Sequence, residues 1–307
     1  ALSVAMIPEG LPAVLTITLA IGVARMAKRN AIIRRLPAVE TLGSTTVVCS
    51  DKTGTITRNE MTVQRLWVDG QSFELSGIGY APEGELRSDG ERHSAAEHGV
   101  VRELLRAGLL CNDAVLKRDG DAWRIEGDPT EGALLVAASK AGLDARTENA
   151  RAARLETIPF ESQHQYMVTL HGGDNPVVYL KGSVEKILER CTVMLGVDGS
   201  VGALDADEVL RQVNAMAGHG LRVLAFARMA VARGTTDIDH QDVRGGLTFL
   251  GLQGMIDPPR EEAIHAVRAC QEAGIKVKMI TGDHAATAAA IAGQGRRKRG
   301  IDRKSVV

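Results

Sequence analysis

The sequence has 307 residues, enough for two domains or for one domain with a large insertion. It contains 37 lysines and arginines against 38 aspartates and glutamates, so the net charge of -1 gives no overall field that would recruit nucleic acid. The four cysteines are far apart in sequence, which argues against a disulfide scaffold and against a Cys-x-x-Cys metal or redox site. A hydrophobic content of 44% with 24% charged residues is typical of a globular protein, here one expected in a reducing compartment.

The first segment, residues 1–24, is apolar and carries one charged side chain, Glu9. As a helix it would rise about 36 Å, and the hydrocarbon core of a bilayer is about 30 Å thick. We therefore expect a transmembrane helix here. The alternatives are a hydrophobic core helix with a solvated glutamate at its end, or a signal-peptide fragment. Basic residues at 25–35 follow, so the positive-inside rule predicts that the rest of the chain lies in the cytoplasm.

Pro8 and Pro12 stand on either side of Glu9 and predict a break in this helix. Proline removes backbone donors and frees carbonyls of the preceding turn. The carbonyls expected to be freed are those of Val4, Ala5 and Ile7. Carbonyls beside a carboxylate are hard oxygen ligands, and an ionisable residue at membrane depth is a functional candidate. The sequence therefore predicts a site for a small desolvated cation.

Residues 45–49 are a β-branched apolar run, typical of a strand buried in a parallel sheet, and Asp51 follows. Active sites of open α/β sheets lie at the carboxyl ends of their strands. A carboxylate followed by Lys52 and a glycine-containing turn can act as a nucleophile toward a phosphoryl group, with the lysine and backbone amides near the transferred oxygens. Taken alone, however, a strand-ending aspartate is more often a turn former or a helix cap.

The longer run Asp51–Thr57, which reads Asp-Lys-Thr-Gly-Thr-Ile-Thr, is far more specific. It resembles the phosphorylation signature of the P-type ATPases, ion pumps with a haloacid-dehalogenase-like catalytic domain. The upstream run Pro8–Pro12, Pro-Glu-Gly-Leu-Pro, resembles the ion-site helix of the type II pumps, especially calcium pumps. The resemblance covers residues 1–292. It implies that ATP phosphorylates Asp51, and that Asp51 and the backbone carbonyl of Thr53 hold Mg²⁺.

A second strand is predicted over residues 275–280, and Thr281-Gly282-Asp283 and an alanine-rich segment follow it. A hydroxyl, a flexible glycine and a carboxylate at the start of a helix suit the handling of phosphate. By itself this tripeptide is more often a plain helix cap. The resemblance implies that Thr281, Gly282 and Asp283 belong to the catalytic site.

About two hundred residues, from Asn59 to Asp257, separate the two strands, so we expect an inserted domain whose ends lie close together. The hydrophobic pattern predicts a mixed α+β module. Its strands are expected over residues 61–68, 177–180, 221–227 and 247–251, and its helices over 95–110, 130–141 and 205–217. The polar, glycine-rich residues 77–99 predict a mobile loop.

Phe160 follows a predicted strand end, in Pro-Phe-Glu-Ser. A flat ring at a surface turn can stack on adenine, although without further context a core phenylalanine is the commoner reading. The resemblance favours stacking, since the nucleotide domain of the family has a phenylalanine at this point. Lys181-Gly182 resembles the family's Lys-Gly-Ala motif, which implies Lys181 at the adenine pocket and a close backbone approach at Gly182.

The resemblance adds two further nucleotide residues. Glu131 lies in the run Asp-Pro-Thr-Glu at a predicted helix start, and Arg222 corresponds to an arginine that contacts ATP phosphates. Gln165, five residues after Phe160, departs from the lysine of many family members and is a weak candidate, because a neutral amide cannot neutralise phosphate.

The run Asp257-Pro258-Pro259-Arg260 returns the chain to the first domain. Its two prolines stiffen the return and allow a helix to start at either of them. It resembles the hinge motif of the family, in which Asp257 and Arg260 also reach the nucleotide region. The same residues are compatible with a simple helix start.

The expected fold class is α/β. The resemblance implies a transmembrane helix and stalk over residues 1–29, a haloacid-dehalogenase-like phosphorylation domain over 30–59 and 257–294, and a nucleotide-binding domain over 60–256. The basic tail at 295–307 is expected to be non-native and takes no part in this assignment. The actuator domain, the later magnesium motif and the other membrane helices of the family are missing from the sequence, so we expect a fragment that does not pump ions alone.

The implied function is ATP-driven cation transport through an aspartyl phosphate, with ATP and Mg²⁺ as cofactors. The implied partners are a transported cation and the lipid bilayer, with no nucleic acid, and the protein is expected in the cell membrane with its catalytic domains in the cytoplasm. Calcium is favoured, although sodium, potassium, manganese and proton pumps share parts of the motif. Heavy metals are disfavoured because the motif holds no thiolate.

Two other function classes stay open. A soluble phosphatase of the haloacid-dehalogenase type also uses a strand-end aspartate, but usually with a second aspartate two residues later, where this sequence has Thr53. A noncatalytic nucleotide-binding module would keep the insertion and leave Asp51 idle.

Overall fold

The structure is a computed structural model that describes residues 10–35, 37–95 and 97–280. Within these residues the chain forms a mixed α/β fold. The helices are α1 (Leu11–Ala27), α2 (Pro37–Gly43), α3 (Gly99–Leu110), α4 (Pro129–Lys140), α5 (Ala145–Arg151), α6 (Val184–Leu188), α7 (Ala206–Gly218) and α8 (Glu261–Glu272). The strands are β1 (Val47–Asp51), β2 (Thr62–Val68), β3 (Gln71–Leu75), β4 (Leu86–Ser88), β5 (Glu91–His93), β6 (Val115–Asp119), β7 (Ala122–Glu126), β8 (Arg154–Ile158), β9 (Tyr166–His171), β10 (Val177–Gly182), β11 (Cys191–Leu195), β12 (Val201–Ala203), β13 (Arg222–Ala230), β14 (Leu247–Ile256) and β15 (Lys276–Ile280).

Eleven of these strands form one sheet, with the order β5-β4-β3-β2-β14-β13-β10-β9-β8 and with β11 and β12 attached beside β14. Neighbours along the main path pair antiparallel, whereas β11 runs parallel to β14. The strand β14 is buried along almost its whole length. Its continuous apolar run fits a strand covered on both faces. The four predicted strands of the insertion are confirmed. The strands β10 and β14 begin where predicted and extend further, whereas β2 and β13 begin one residue later than predicted.

Helices cover both faces of this sheet. On one face α3 and α4 pack through Leu104 and Leu134, which meet Phe226 of β13 in one apolar cluster. On the other face α6 and α7 contribute Ile187 and Val209 to a second cluster. The apolar residues of α3 recur every three to four positions, so the helix presents one apolar stripe to the sheet. The polar residues of interest lie near the ends of the strands.

The strands β1 and β15 form a separate two-stranded parallel sheet. Both strands are confirmed, although β1 runs over Val47–Asp51, two residues later than predicted. The expectation that this strand is buried is wrong, since Val47 and Val48 are 41% and 36% exposed. In the described part of the chain β1 has β15 as its single strand neighbour, so its apolar side chains lack the covering that a wider sheet would give.

The helix α1 begins at Leu11, and Pro12 lies in its first turn, where the missing N–H has no helical partner to lose. Over the ranges that the structure describes, no helix combines the length and the apolar character needed to cross a membrane. The residues predicted for the cation site lie outside the described residues: Val4, Ala5, Ile7 and Glu9.

The prediction of a mobile loop over residues 77–99 is wrong for its second half. There β4 and β5 form a hairpin at the end of the large sheet. Its turn residues Asp89 and Gly90 have φ angles of 52° and 85°, as a type I′ turn requires. The Asp-Gly dipeptide was the available signal, and the polar composition around it obscured it.

Candidate functional site

Asp51 is the last residue of β1 and is exposed. In the parallel register it lies opposite Ile280, the last residue of β15. The two predicted catalytic strands are therefore neighbours that end at the same level, as active sites of α/β sheets require. The residues that follow Ile280 are the predicted site residues Thr281, Gly282 and Asp283, which lie outside the described residues.

A tight turn follows Asp51. Thr53 has φ and ψ of -75° and 125°, and Gly54 has 72° and -10°, which are the angles of a type II turn. The left-handed angle at Gly54 explains why a glycine is needed there. The turn closes when the backbone N–H of Thr57 donates to the carbonyl of Lys52 at 3.0 Å, and the N–H of Gly54 donates to the Thr57 hydroxyl at 3.3 Å. The Lys52 side chain is buried, with 7% of its surface exposed.

The chain crosses itself directly after this turn. Thr57 forms an isolated antiparallel bridge with Pro259, and the N–H of Arg58 donates to the carbonyl of Pro258 at 3.0 Å. The Arg260 guanidinium donates to the carbonyls of Thr57 and Gly54 at 3.0 and 3.3 Å. The ends of the long segment between the two strands therefore do lie close together, as predicted.

Neither proline of this crossing begins a helix, which corrects that expectation. The helix α8 begins at Glu261 because Arg260 has an extended backbone, and its N–H donates to the carbonyl of Ile56 at 2.8 Å. A helix that started at Pro258 or Pro259 would require helical angles at Arg260 and would remove this bond.

Asp257 is only 7% exposed, and both of its oxygens have partners within the chain. Oδ2 accepts from the Thr57 hydroxyl at 2.6 Å, and Oδ1 accepts from the Glu60 N–H at 3.2 Å. Burial and the nearby carboxylates of Glu60, Asp257 and Asp128 raise the pKa of the Tyr80 phenol. The geometry therefore gives Asp257 and Arg260 a role in holding the crossing together.

A second group of predicted residues meets at the end of β10. Lys181 is 6% exposed, and its Nζ lies 2.6 Å from Oε1 of Glu131 and 2.5 Å from the carbonyl of Cys111. Lys181 and Glu131 therefore form a nearly buried ion pair.

The position of Glu131 follows from the start of α4. Asp128 caps this helix by accepting from the N–H groups of Thr130 and Glu131 at 2.7 and 3.3 Å. The cap fixes the first turn, from which the Glu131 side chain reaches Lys181 with one oxygen and accepts from the Asp113 N–H with the other at 3.1 Å.

The segment Cys111–Asp113, which follows α3, also belongs to this group, although no sequence pattern was used to predict it. The Asn112 amide is 5% exposed and donates to the carbonyls of Gly108 and Glu131 at 3.0 and 2.8 Å. Burial raises the pKa of the Cys111 thiol, although Lys181 opposes this effect, so Cys111 contributes its carbonyl rather than a thiolate. A polar Asn-Asp pair directly after an amphipathic helix was the signal that could have found this segment.

Phe160 lies two residues after β8 and is 57% exposed, as predicted for a ring at a surface turn. The following turn folds back so that the N–H of Gln165 donates to the carbonyl of Glu161 at 2.8 Å. Gln165 has a φ of 60°, which is unusual for a residue other than glycine. Its carbonyl accepts from the Ser183 N–H at 2.9 Å, so the turn rests on the end of β10.

The close backbone approach predicted at Gly182 is made by the chain itself. A Cβ at this position would lie 2.5 Å from the Gln165 carbonyl oxygen and 2.8 Å from Cβ of Tyr166. Gly182 is therefore needed to accommodate the turn that carries Phe160 and Gln165.

The sheet gathers the remaining predicted residues at one end. Gly182 ends β10 and Arg222 begins β13, which pair antiparallel, and β14 leads from Met255, opposite Arg222, into Asp257. Along β13 the alternation of side chains places Arg222 on the same face as Phe226, which lies opposite Lys181. Lys181 and Arg222 thus stand on one face, at the end from which the chain crosses to β1.

Metal ligands are sparse in this part of the chain. Among the residues described, no three His, Cys, Asp or Glu side chains are placed to hold a metal ion together. The exposed carboxylate of Asp51 and the carbonyl of Thr53 are hard oxygen donors of the kind that Mg²⁺ binds, alongside waters and phosphates.

Comparison with known proteins agrees with these features. A family model described as P-type ATPase, cytoplasmic domain N, matches residues 100–262, more than half of the chain. The chain is 58% identical over 297 residues to the cation-transporting ATPase pma1 of Synechocystis sp., a match that covers 95% of this chain and 33% of that protein. It is 52% identical over 294 residues to the probable cation-transporting ATPase F of Mycobacterium tuberculosis, covering 95% of this chain and 32% of the relative.

The chain is also 42% identical over 298 residues to the calcium-transporting ATPase of Bacillus subtilis, covering 95% of this chain and 33% of the relative. It therefore spans about a third of the length of the curated relatives that it matches. Because the family model accounts for more than half of its residues, the chain belongs to the family of P-type ATPases.

Proposed function

We propose that this chain is the part of an ATP-driven cation pump in which ATP binds and the phosphoryl group is transferred. The proposal rests on the parallel register of β1 and β15, which places Asp51 and Ile280, the last residues of the two strands, opposite each other. An exposed carboxylate at such a strand end is placed to act as a nucleophile. The names of the relatives, cation-transporting and calcium-transporting ATPases, support the same conclusion.

In the proposed reaction an oxygen of Asp51 attacks the γ-phosphorus of ATP. A new bond forms between that oxygen and phosphorus, the bond from phosphorus to the bridging oxygen breaks, and ADP leaves. Lys52 and the backbone amides of the following turn contribute positive charge near the transferred oxygens. Mg²⁺, held by Asp51 and the Thr53 carbonyl, would neutralise charge on the phosphoryl group. Thr281, Gly282 and Asp283 are proposed to complete this site from the end of β15.

The nucleotide is proposed to bind at the end of the large sheet, with Phe160 on the adenine and Lys181, Glu131, Gly182 and Arg222 around it. The exposed ring of Phe160 and the placement of Lys181 and Arg222 on one face support this arrangement. Asp257 and Arg260 are proposed to act as the hinge between nucleotide and phosphorylation regions. Residues 60–256 would then form the nucleotide-binding domain, and 30–59 with 257–294 the haloacid-dehalogenase-like domain.

We further propose that residues 1–29 belong to a membrane helix and its stalk, with Glu9 and the carbonyls of Val4, Ala5 and Ile7 as cation ligands. Calcium is the favoured cation because the Bacillus subtilis relative is named a calcium-transporting ATPase and oxygen ligands suit this ion. Transport assays on the complete protein that contains this chain, with Glu9→Gln, test this step. Equal calcium transport by that variant would contradict the assignment.

The phosphoenzyme is tested by labelling the complete protein with ATP that carries ³²P at the γ-position. We expect an acid-stable, hydroxylamine-sensitive label that is absent from Asp51→Asn and present in Asp121→Asn, a variant of an exposed aspartate in the β6–β7 turn. A label that survives in Asp51→Asn would refute the proposal. Binding of ATP without any label would favour the noncatalytic module, and release of phosphate from small phosphomonoesters would favour the soluble phosphatase.

The nucleotide site is tested on the 307-residue chain by titration calorimetry with ATP. Base stacking on an aromatic ring is worth about 1–3 kcal/mol, so Phe160→Ala should weaken binding about 5-fold to 150-fold. Phe160→Trp, which keeps a flat ring, should bind nearly as well as the original chain. Unchanged affinity in Phe160→Ala would remove Phe160 from the site.

A further inference from the structure

The turn that carries Phe160 is attached to the sheet on two sides. On one side the Gln165 carbonyl accepts from the Ser183 N–H at 2.9 Å. On the other side His164, the residue before Gln165, packs its ring on His240, with ring centroids 4.3 Å apart and an angle of 34° between the planes. His240 comes from the long segment between β13 and β14, which is distant in sequence and was not assigned any role.

A hydrogen bond also joins His240 to Tyr166, the second residue after His164. The Tyr166 hydroxyl and Nδ1 of His240 are 2.7 Å apart. Tyr166 is 2% exposed and belongs to the apolar cluster on the sheet face opposite Lys181. The Arg190 guanidinium lies over the Tyr166 ring, 4.5 Å from its centroid, and restricts that ring further.

His240 can act as a fixed support because its own segment is anchored. Ile238 and Val243, on either side of it, are 6% and 0% exposed and belong to the same apolar cluster as Tyr166. The exposed turn with Phe160 therefore contacts His240, a residue whose neighbours Ile238 and Val243 pack in the core. We propose that His240 is a positioning residue for the nucleotide, which acts through His164 and Tyr166 to hold the Phe160 turn in its binding conformation.

This inference rests on the proposed nucleotide site, and its test is designed to separate the two. ATP dissociation constants are measured for the 307-residue chain, for His240→Ala and His240→Phe, and for the control His219→Ala, which changes an exposed histidine at the end of α7. Circular dichroism identifies any variant that fails to fold.

We expect His240→Ala to bind ATP about fivefold more weakly than the original chain, because the support is gone. His240→Phe keeps a ring against His164 but loses the hydrogen bond to Tyr166, so its affinity should lie between those of His240→Ala and the original chain. His219→Ala should match the original chain. A fold effect alone would change circular dichroism without this selective recovery of affinity in His240→Phe.

Equal affinity in the original chain, His240→Ala and His240→Phe would overturn the inference and leave the nucleotide site intact. Absence of ATP binding by the original chain would contradict the proposed site and this inference with it. If His240→Ala fails to fold, His240→Phe carries the test, because it lacks the hydrogen bond to Tyr166 and should bind ATP more weakly than the original chain. Equal affinity of His240→Phe and the original chain would then overturn the inference.

Discussion

The hydroxyl of Thr57 donates a hydrogen bond of 2.6 Å to Oδ2 of Asp257, a residue 200 positions later in the chain. Thr57 is fully buried and Asp257 is 7% exposed, so the bond is shielded from water. It joins the turn after β1 to the end of β14 at the point where the chain crosses itself. A short charge-assisted bond in such a place is among the stronger single contacts of a fold.

Thr57→Val should therefore destabilise the chain. Valine keeps the shape of threonine but leaves a buried carboxylate oxygen without this donor, which costs about 1–3 kcal/mol. We expect the free energy of unfolding, measured by urea denaturation, to fall by that amount. Thr192→Val, at an exposed position of β11, is the matched control and should change it by less than about 0.5 kcal/mol. Equal effects of the two substitutions would show that the bond to Asp257 contributes nothing.

Lys181→Met should be more damaging, because it leaves Glu131 in a poorly solvated place without its ion-pair partner. The two side chains are 8% and 16% exposed. Loss of one partner of a nearly buried pair costs about 3 kcal/mol, whereas an exposed pair is worth less than about 1 kcal/mol. Lys117→Met, which breaks an ion pair of 2.7 Å with 56% and 64% exposed side chains, is the control.

The double variant Lys181→Met with Glu131→Gln separates stability from binding. A neutral amide needs no counter-charge, so urea denaturation should show a partial recovery of stability. Affinity for ATP should not recover, because the cation of the proposed pocket is still missing. Recovery of both would mean that Lys181 has a structural role only.

His171 gives the fold a defined pH dependence. Burial lowers the pKa of its imidazole from 6.5 to about 4. The neutral ring suits its partners, since Nδ1 lies 3.0 Å from the Ala152 carbonyl and Nε2 lies 2.9 Å from the Thr169 hydroxyl. At pH values between these two pKa values, His171 binds a proton in the unfolded chain but not in the folded chain. Stability should therefore fall as pH decreases from 6.5 to about 4, by about 2–3 kcal/mol from this group.

The free energy of unfolding is measured at pH 7 and pH 4.5 for the original chain and for His171→Gln. The change between the two pH values is then compared between the two proteins. Carboxylates titrate in both proteins, so their contribution cancels. We expect the original chain to lose about 2 kcal/mol more than the variant over this interval. His219→Gln should behave as the original chain does, and a His171→Gln variant with the same acid sensitivity would contradict the assignment.

Gly182→Ala should strain the turn that carries Phe160. The added Cβ would meet backbone atoms of Gln165 and Tyr166, which cannot rotate away as a flexible side chain can. We expect a loss of about 1–3 kcal/mol in stability and weaker binding of ATP. Gly202→Ala, in β12, has no atom within 4 Å of the new Cβ and serves as the control. Unchanged stability and affinity in Gly182→Ala would mean that the turn moves freely.

Much of the local structure could be read from the sequence. The strands that end at Asp51 and Ile280, the helix that starts near Glu131 and the exposed position of Phe160 all follow from short-range patterns. Hydrophobic periodicity, turn residues and caps act over a few positions, so one sequence suffices to detect them. The Asp89-Gly90 dipeptide is a short-range hairpin signal of the same kind, but the polar composition around it led to the prediction of a loop.

The partners of these residues were decided by the tertiary structure. Nothing near Asp257 in sequence indicates that Thr57 will occupy its carboxylate, and nothing near Gly182 indicates that Gln165 will rest on it. The contact of His240 with His164 is of the same kind. Each depends on strand register and on where long connections return, which are set by packing over the whole sheet. Residue types and short-range patterns fix which groups are present and where the strands end. Which of these groups meet depends on the folded chain, because one residue of register shift would turn each side chain to the opposite face.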